Sequence, residues 1–407
     1  MEREKLKRRK VLLSNSIMPW FIGISDDLMF FIAINSLFFT VVKGLSAAEI
    51  TFLTTISNLS YILLQIPALK IVRKIGNIKS IRIGTMMLLC SSILITFSNH
   101  YLGIIMGYIL YQPAFLFKKM ENVVIENNLR YLNKQEDYIK ISSKAKVVYS
   151  VITTIIALIA GGIFAFNHYL PMYLCIAICA LNVLLSFCIF DANDKEQNIC
   201  KNKKRERMKF SKMMGTIFLS FALLYPIINV GQNNSQLFIQ YNLEVHFDIG
   251  LTATYLGIII ATSRISRIIG NLGFRKIYNR YKDKVSILLS VMAIIAFACI
   301  LLGSYLNSVI LIKFALMTIG FDIILAIRDP VEVYINDLLL KNTKAEEHQK
   351  AISYLQLSRR VVATVMSFIF SILLIQFDLS YIIICLFVFA MISLGVNYRL
   401  YRMIKEK

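Results

Sequence analysis

The sequence predicts an all-α integral membrane protein with about twelve transmembrane helices, arranged as two pseudo-symmetric six-helix bundles. Three observations support this fold class. The chain is 57% hydrophobic and only 17% charged, its apolar residues form long runs, and its two halves are similar to each other. A soluble domain has about a quarter of its residues charged. Burial in a lipid bilayer is therefore the simplest explanation for so many apolar side chains.

Many of the apolar runs approach the length that a bilayer requires, which is about twenty residues. Clear examples are 151–166, 285–306 and 361–377. We number the predicted spans 1 to 12, and they lie at residues 15–42, 48–70, 79–98, 102–127, 145–166, 168–190, 212–240, 250–272, 284–304, 307–332, 350–376 and 379–400. Span 1 is too long for a removable signal peptide and lacks a small-residue cleavage site, so we interpret it as a first transmembrane helix.

Positive charge is concentrated in the two tails and in every second loop. The chain has 45 Lys and Arg against 24 Asp and Glu, a net charge of +21. The basic segments are 2–10, 70–82, 130–146, 195–212, 275–284, 341–350 and 399–407. Because basic loops stay on the cytoplasmic side, we expect an inner membrane protein with both termini in the cytoplasm. This distribution favours the lipid bilayer as partner rather than nucleic acid, and the richness in Lys, Ile and Asn suggests a bacterium.

A polar segment at 191–211 divides the chain almost in half. It predicts a cytoplasmic linker between an N-terminal six-helix half at 1–190 and a C-terminal half at 212–407. Shifting the second half by 206 positions places 250–277 over 44–71 without a gap, and eight of these 28 positions are identical. The same register aligns GLSAAEI with GLTATYL. We infer an internal duplication.

Polar side chains recur at helical spacing within several spans. On span 7 they are Asn229, Gln232, Asn233, Gln236 and Gln240. Amides that faced lipid would be desolvated without partners, so we expect them to line an aqueous cavity, with polar contacts between helices as the alternative. The candidate substrate-binding residues are Asn58, Tyr61, Tyr108, Tyr111, Gln112, Lys118, Asn229, Gln232, Asn233, Gln236, Arg264, Arg328, Gln356 and Arg360.

Three acidic residues inside spans are candidates for proton coupling. A charge centred in a bilayer costs a few kcal/mol or more, so such residues need a function or a partner. Asp26 and Asp27 lie near the middle of span 1, and Asp322 lies in span 10. Adjacent helical residues point about 100° apart, so one of Asp26 and Asp27 should face the cavity, and the sequence leaves open which. An acid whose pKa is raised by burial can bind and release a proton as the cavity changes sides.

Neutral ion pairs between helices are the alternative role for these charges. The pairs considered are Lys118 with Glu121, Arg328 with Glu332, and Arg264 or Arg360 with an aspartate.

Parallel duplication of six helices around a central loop resembles the major facilitator superfamily. The resemblance covers the whole chain and implies substrate binding near the bilayer midplane and alternating access by rocking of the halves. The superfamily's loop pattern Gly-x-x-x-Asp-Arg-x-Gly-Arg-Lys is degenerate here. Gly76 matches, but Arg73 and Lys74 replace Asp and Arg, and the second-half loop keeps only Arg280 next to Asn279. These five residues form the predicted gating loops.

The expected function is that of a secondary active transporter that moves a small anionic or zwitterionic solute as a monomer. Gly161 and Gly162 keep part of the small-residue pattern that resembles exporters in span 5, which favours a proton-coupled exporter. A proton-coupled importer, a flippase for a lipid-linked substrate, and a transporter-derived sensor or assembly partner without flux remain open. The chain lacks a Gly-x-x-x-x-Gly-Lys-Ser/Thr phosphate loop and has no metal-ligand spacing among its histidines. We therefore expect no enzyme activity and no cofactor, with a proton gradient as the energy source.

Overall fold

The computed structural model describes residues 2–192, 212–306, 309–343 and 348–406. These residues form α-helices with short π-helical and 3-10 segments, and no strand occurs among them. The helices are α1 (Glu2–Ser25), α2 (Met29–Leu37), α3 (Ala47–Ile75), α4 (Asn77–Phe97), α5 (Tyr101–Lys118), α6 (Met120–Tyr131), α7 (Tyr138–Phe166), α8 (Leu170–Ser186), α9 (Lys212–Glu244), α10 (Ile249–Tyr281), α11 (Val285–Tyr305), α12 (Ile310–Lys341), α13 (His348–Gln376) and α14 (Leu379–Lys405). The all-α prediction is confirmed. Apart from residues 191 and 192, the predicted linker lies outside the described residues.

Length and composition suit most of these helices to a membrane. Within the described ranges, nine helical segments are long and apolar enough to span a bilayer; Glu2–Val42 contains α1 and α2, and Ile249–Tyr305 contains α10 and α11. The helix Leu170–Ser186 is apolar but shorter. A multi-pass membrane protein follows from these helices, whereas the number twelve stays a prediction.

Two compact units divide the structure. The first comprises Met1–Asn35 and Leu59–Lys204, and the second comprises Ser36–Asn58 and Arg205–Lys407. The second unit therefore includes the end of predicted span 1 and the start of span 2. The boundaries of the two six-helix halves, derived from the internal duplication, stay predictions.

Predicted span 1 is interrupted in the middle. Helix α1 ends at Ser25 and α2 begins at Met29, so Asp26 to Leu28 are not helical. The Asp27 carboxylate accepts a hydrogen bond from the backbone amide of Leu28 at 2.9 Å. A short aspartate side chain offers the backbone this alternative to a helical bond. Non-helical backbone at membrane depth is tolerated only where protein buries it or where it lines a cavity.

Predicted span 4 is also interrupted. Helix α5 ends at Lys118, and α6 begins at Met120. The sequence predicted one continuous helix over 102–127. Its polar residues thus belong to two helices, joined at Lys119.

In the second unit, α10 and α12 approach closely at a glycine. A Cβ atom at Gly270 would lie 2.2 Å from the backbone oxygen of Ala326, whereas a Cβ at Gly273 would have no neighbour within 4 Å. The two helices can make this contact because Gly270 has no side chain.

We expect Gly270→Ala to lower the stability of the protein, because the helices must separate to admit the methyl group. Overpacking of this kind costs about 1–3 kcal/mol. The measurement is the thermal unfolding of purified protein in detergent. Gly273→Ala is the matched control on the same helix, and it should be neutral or slightly stabilising, since Ala favours helix by about 1 kcal/mol over Gly. Equal unfolding temperatures for the two variants would contradict the close approach.

Candidate functional site

The interruption of span 1 exposes backbone polar groups that a second helix satisfies. The ammonium of Lys118 donates a hydrogen bond to the backbone oxygen of Ser25. Lys118 is 2% exposed, and its Nζ lies 3.6 Å from a carboxylate oxygen of Glu121. The predicted Lys118–Glu121 pair is confirmed. The lysine thus links the end of α1 to the junction of α5 and α6.

A glycine on α4 makes room for this lysine. A Cβ at Gly84 would lie 2.8 Å from Cγ of Lys118 and 2.8 Å from the backbone oxygen of Ala114. Close packing of α4 against α5 therefore positions the Lys118 side chain.

The two adjacent aspartates have different environments. Asp26 is exposed and Asp27 is half-buried. Tyr111 of α5 donates its hydroxyl hydrogen to Asp27, and the ring of Tyr108 lies 6.1 Å from that of Tyr111. Asp27 is therefore held in place by its neighbours, and Asp26 is the carboxylate more open to solutes.

Tyr61, a candidate substrate-binding residue on α3, is almost fully buried. It is 6% exposed, and its hydroxyl accepts a hydrogen bond from Lys119 at 2.7 Å. Lys119 is the residue at which span 4 is interrupted, so this contact joins α3 to that junction. Gln112 is half-buried on α5.

The predicted gating loop of the first unit contains one contact that the sequence did not reveal. Arg73 and Lys74 are exposed in the last turn of α3, and Gly76 has the positive φ of 86° that favours glycine. The next residue, Asn77, donates a hydrogen bond to Asp191 at 2.7 Å. A neutral amide thus occupies a position where the family pattern has an arginine, and it anchors the chain just beyond α8.

The corresponding loop of the second unit is more open. Asn279 and Arg280 are exposed, and the guanidinium of Arg280 lies 5.7 Å from the ring centre of Tyr281. Nearby, Lys341 donates to Asp337 at 2.7 Å and to Tyr278 at 2.8 Å. Both bonds raise the pKa of Lys341 because they stabilise its charged form.

The polar stripe on α9 has two kinds of contact. Gln236 donates to Ser36 at 3.4 Å, and Gln240 donates to Thr40 at 2.7 Å. This end of the stripe joins helices within the second unit, as the alternative interpretation required. Gln232, by contrast, accepts a hydrogen bond from Arg328 at 2.8 Å.

The remaining stripe residues differ in exposure. Asn233 is exposed and Asn229 is half-buried, both on α9. They are therefore the stripe residues that remain candidates for contact with a solute, together with Gln232.

Arg267 and Arg359 of the second unit each form an ion pair. Arg267 contacts Asp329 through two nitrogens at 2.7 and 2.9 Å. Arg359 lies 3.1 Å from Glu332, and its guanidinium stacks 4.3 Å from the ring centre of Tyr225. Planar guanidinium groups suit both bidentate pairing and stacking.

The predicted Arg328–Glu332 pair is wrong. Glu332 instead accepts from Gln356 at 2.9 Å and pairs with Arg359. Sequence spacing placed Arg328 and Glu332 one turn apart on α12, but side chains from α9 and α13 compete for them. Arg328 donates to the neutral amide of Gln232 in place of a carboxylate.

Two further candidate arginines lie on α10 and α13. Arg360 donates to the amide oxygen of Asn58 at 3.1 Å, within the second unit. Arg264 is 6% exposed. Asp322, the acid predicted in span 10, accepts a hydrogen bond from Thr262 at 3.2 Å.

Within the predicted spans on α10, α12 and α13, arginines outnumber acids. The arginines there are Arg264, Arg267, Arg328, Arg359 and Arg360, and the acids are Asp322, Asp329 and Glu332.

Apolar helices that carry charged and amide side chains define a polytopic membrane protein. The chain belongs to the Major Facilitator Superfamily, whose family model matches residues 11–362. It is therefore a transporter and not an enzyme. A search of curated proteins found no match.

Several solved transporters share the fold. The nucleoside transporter NupG has a TM-score of 0.74 at 12% identity, covering 98% of this chain and 100% of that one. A bacterial homologue of the lysosomal transporter Spinster, in an inward-facing state, gives 0.68 at 12% identity, with 97% of each chain covered. A bacterial homologue of the iron transporter ferroportin gives 0.69 at 12% identity, with 97% and 98% covered. Identities this low establish the fold alone.

Proposed function

We propose that this protein is a proton-coupled secondary transporter of a small anionic or zwitterionic solute, working by alternating access, with both termini in the cytoplasm of a bacterial inner membrane. The observation that supports an anionic solute most strongly is that the half-buried Arg328 donates to a neutral amide, that of Gln232, and not to a carboxylate. A buried charge is costly unless it is compensated, and an anion that binds Arg328 compensates it. The neutral solutes and metal cations of some structural relatives would not.

Arg328 is the arginine best placed to exchange partners. Its bond to Gln232 is between a cation and a neutral amide, and hydrogen bonds to a carboxylate or phosphate are about twice as strong. An anion can thus replace the amide with a gain in energy. In the absence of solute, the bond to Gln232 would keep the Arg328 guanidinium in the position where it binds the anion.

Export is the direction we propose, with import as the alternative. The support for export is the small-residue pattern of span 5, in which Gly161 and Gly162 lie on α7. Vesicles of known orientation, loaded inside or outside with a solute that the protein binds, would separate the two directions under the same pH gradient.

The test of the solute class is thermal stabilisation of purified protein by a panel of carboxylates, amino acids, phosphorylated sugars and neutral nucleosides, followed by flux of each hit. We expect anionic or zwitterionic hits, with affinity reduced about tenfold or more in Arg328→Gln, because a hydrogen bond to a charged group contributes about 1.5–3 kcal/mol. Arg275→Gln is the matched control, since Arg275 is exposed on α10 and loses the same charge. Hits confined to neutral or cationic compounds would overturn the proposal, as would equal affinities in both variants.

A further inference from the structure

A small polar cavity lies between α3, α9 and α13 of the second unit. Its volume is about 20 Å³, which is enough for one water molecule. All three helices contribute polar side chains to its wall, namely Thr51, Thr54, Asn233, Asn234 and Ser367. The hydroxyl of Thr51 donates to the amide oxygen of Asn234 at 3.3 Å, which joins α3 to α9 at this point. The cavity thus gathers hydroxyl and amide groups around a space of the size of one water molecule.

The hydroxyl of Ser367 points to an occupant of this cavity. Ser367 is fully buried, and its Oγ has no hydrogen-bond partner among the described residues. A helical serine can donate to a backbone oxygen of the preceding turn, as Ser358 and Ser371 do on the same helix at 2.8 and 2.7 Å. A buried polar group without a partner costs free energy. A molecule in the cavity would supply the bond that Ser367 does not make within the protein.

Two arginines of the second unit have contacts close to the cavity. Arg328 donates to Gln232 at 2.8 Å, and Gln232 is the neighbour of the lining residue Asn233 on α9. Arg360 donates to Asn58 at 3.1 Å, and Asn58 lies one turn of α3 beyond the cavity. Side chains one helical turn apart are separated by about 5–6 Å. A small organic anion is therefore long enough for its charged group to reach an arginine while a second group lies in the cavity.

The chemistry of the cavity wall favours a hydroxyl as that second group. Of the eight residues that line it in the described part of the chain, none is charged, so an ammonium group would meet no carboxylate there. A methyl group would leave Ser367 without a partner. A hydroxyl is similar in size to water and both donates and accepts, so it can bond to Ser367 and to the amide of Asn233.

We propose that the solute is a hydroxylated organic anion and that Ser367 and Asn233 bind its hydroxyl group in this cavity. The inference rests on the proposed anionic solute and narrows its class. A site that hydrogen-bonds a substrate hydroxyl rejects the analogue without it, because its own buried polar group is then left unpaired. Ser367 is thus a residue that determines specificity.

The test compares pairs of compounds that differ by one hydroxyl group, with affinity measured by thermal stabilisation of the purified full chain. The pairs are lactate with propionate, malate with succinate, serine with alanine, and glycerol 3-phosphate with propyl phosphate. In the wild type, the hydroxylated member of a pair that binds should have about tenfold higher affinity. In Ser367→Ala this preference should be lost through weaker binding of the hydroxylated member. The matched control is Ser371→Ala, one turn further along α13, which should keep the preference because its hydroxyl donates to the backbone of its own helix.

A second measurement is the unfolding temperature without solute. Ser367→Ala removes a hydroxyl that has no partner, so it should unfold at or above the wild-type temperature, and a large loss of stability would assign this hydroxyl a structural role and overturn the proposal. Equal affinities within every pair that binds would also overturn it, assigning the cavity to water while the anionic carrier stands. A preference that persists in Ser367→Ala would place the hydroxyl elsewhere. Binding of none of these anions would overturn the proposed solute class and this inference with it.

Discussion

Replacing Asp26 with Asn should abolish uphill accumulation of the solute while leaving exchange of solute for solute intact. Asp26 is the exposed carboxylate at the interruption of span 1, and an amide of the same size takes up no proton. Coupling of one proton to one solute permits about a tenfold concentration ratio for each pH unit of gradient, since 1.4 kcal/mol is a factor of ten. The variant should therefore reach only the equal concentrations of an uncoupled carrier.

The measurement is accumulation in proteoliposomes with an imposed pH gradient, followed by counterflow without one. Asp27→Asn is the informative comparison, because its remaining oxygen can still accept from Tyr111 and from the amide of Leu28. We expect it to retain accumulation. If Asp26→Asn accumulates solute normally and Asp322→Asn does not, the coupling acid lies on α12 and this assignment is wrong.

The sequence predicted the helical membrane fold because that fold depends on composition and on the length of apolar runs. It did not predict the interruption at Asp26 to Leu28. The residues on either side are apolar, so hydropathy continues across the gap, and the stabilising partner is Lys118, which is 93 positions away from Ser25 in the chain. A pair of adjacent aspartates in the middle of a span was the available signal.

Partners within the candidate site were predicted only where they were local. The Lys118–Glu121 pair lies three positions apart on the chain and was found. The predicted Arg328–Glu332 pair had the same kind of spacing and was wrong, because Gln232 and Arg359 come from other helices. Spacing shows which side chains are able to meet, but packing decides between competing partners.

The stripe on α9 illustrates a similar limit. Helical spacing correctly placed its amides in polar surroundings, yet Gln236 and Gln240 contact hydroxyls of Ser36 and Thr40, while Gln232 contacts Arg328. Contact between helices is therefore confirmed for Gln236 and Gln240, and an aqueous cavity along the rest of the stripe stays a prediction. Helical spacing does not show which side chains of other helices pack against each turn.

The other large effect should come from Asp329→Asn, which leaves Arg267 without its bidentate partner. Removing one member of a buried pair costs about 3–5 kcal/mol, because the remaining charge is uncompensated. The two side chains here are 24% and 28% exposed, so solvent screens part of the uncompensated charge. We therefore expect Asp329→Asn to lower the free energy of unfolding by about 2–3 kcal/mol. The measurement is the loss of thermal stability of the purified protein.

A second pair on the same helix provides the control. Asp337 lies 2.7 Å from Lys341, but these side chains are 39% and 58% exposed, and exposed pairs contribute about 0–1 kcal/mol. Asp337→Asn should therefore change stability little.

The double variant Arg267→Gln/Asp329→Asn should recover part of the loss, because neither charge is then uncompensated. Additive losses would mean that the two residues do not act as a pair. Recovery of stability without recovery of transport would place the pair close to the solute, since the double variant keeps the net charge of these helices and removes only the two charged groups themselves. Recovery of both would make the pair a purely structural contact between α10 and α12.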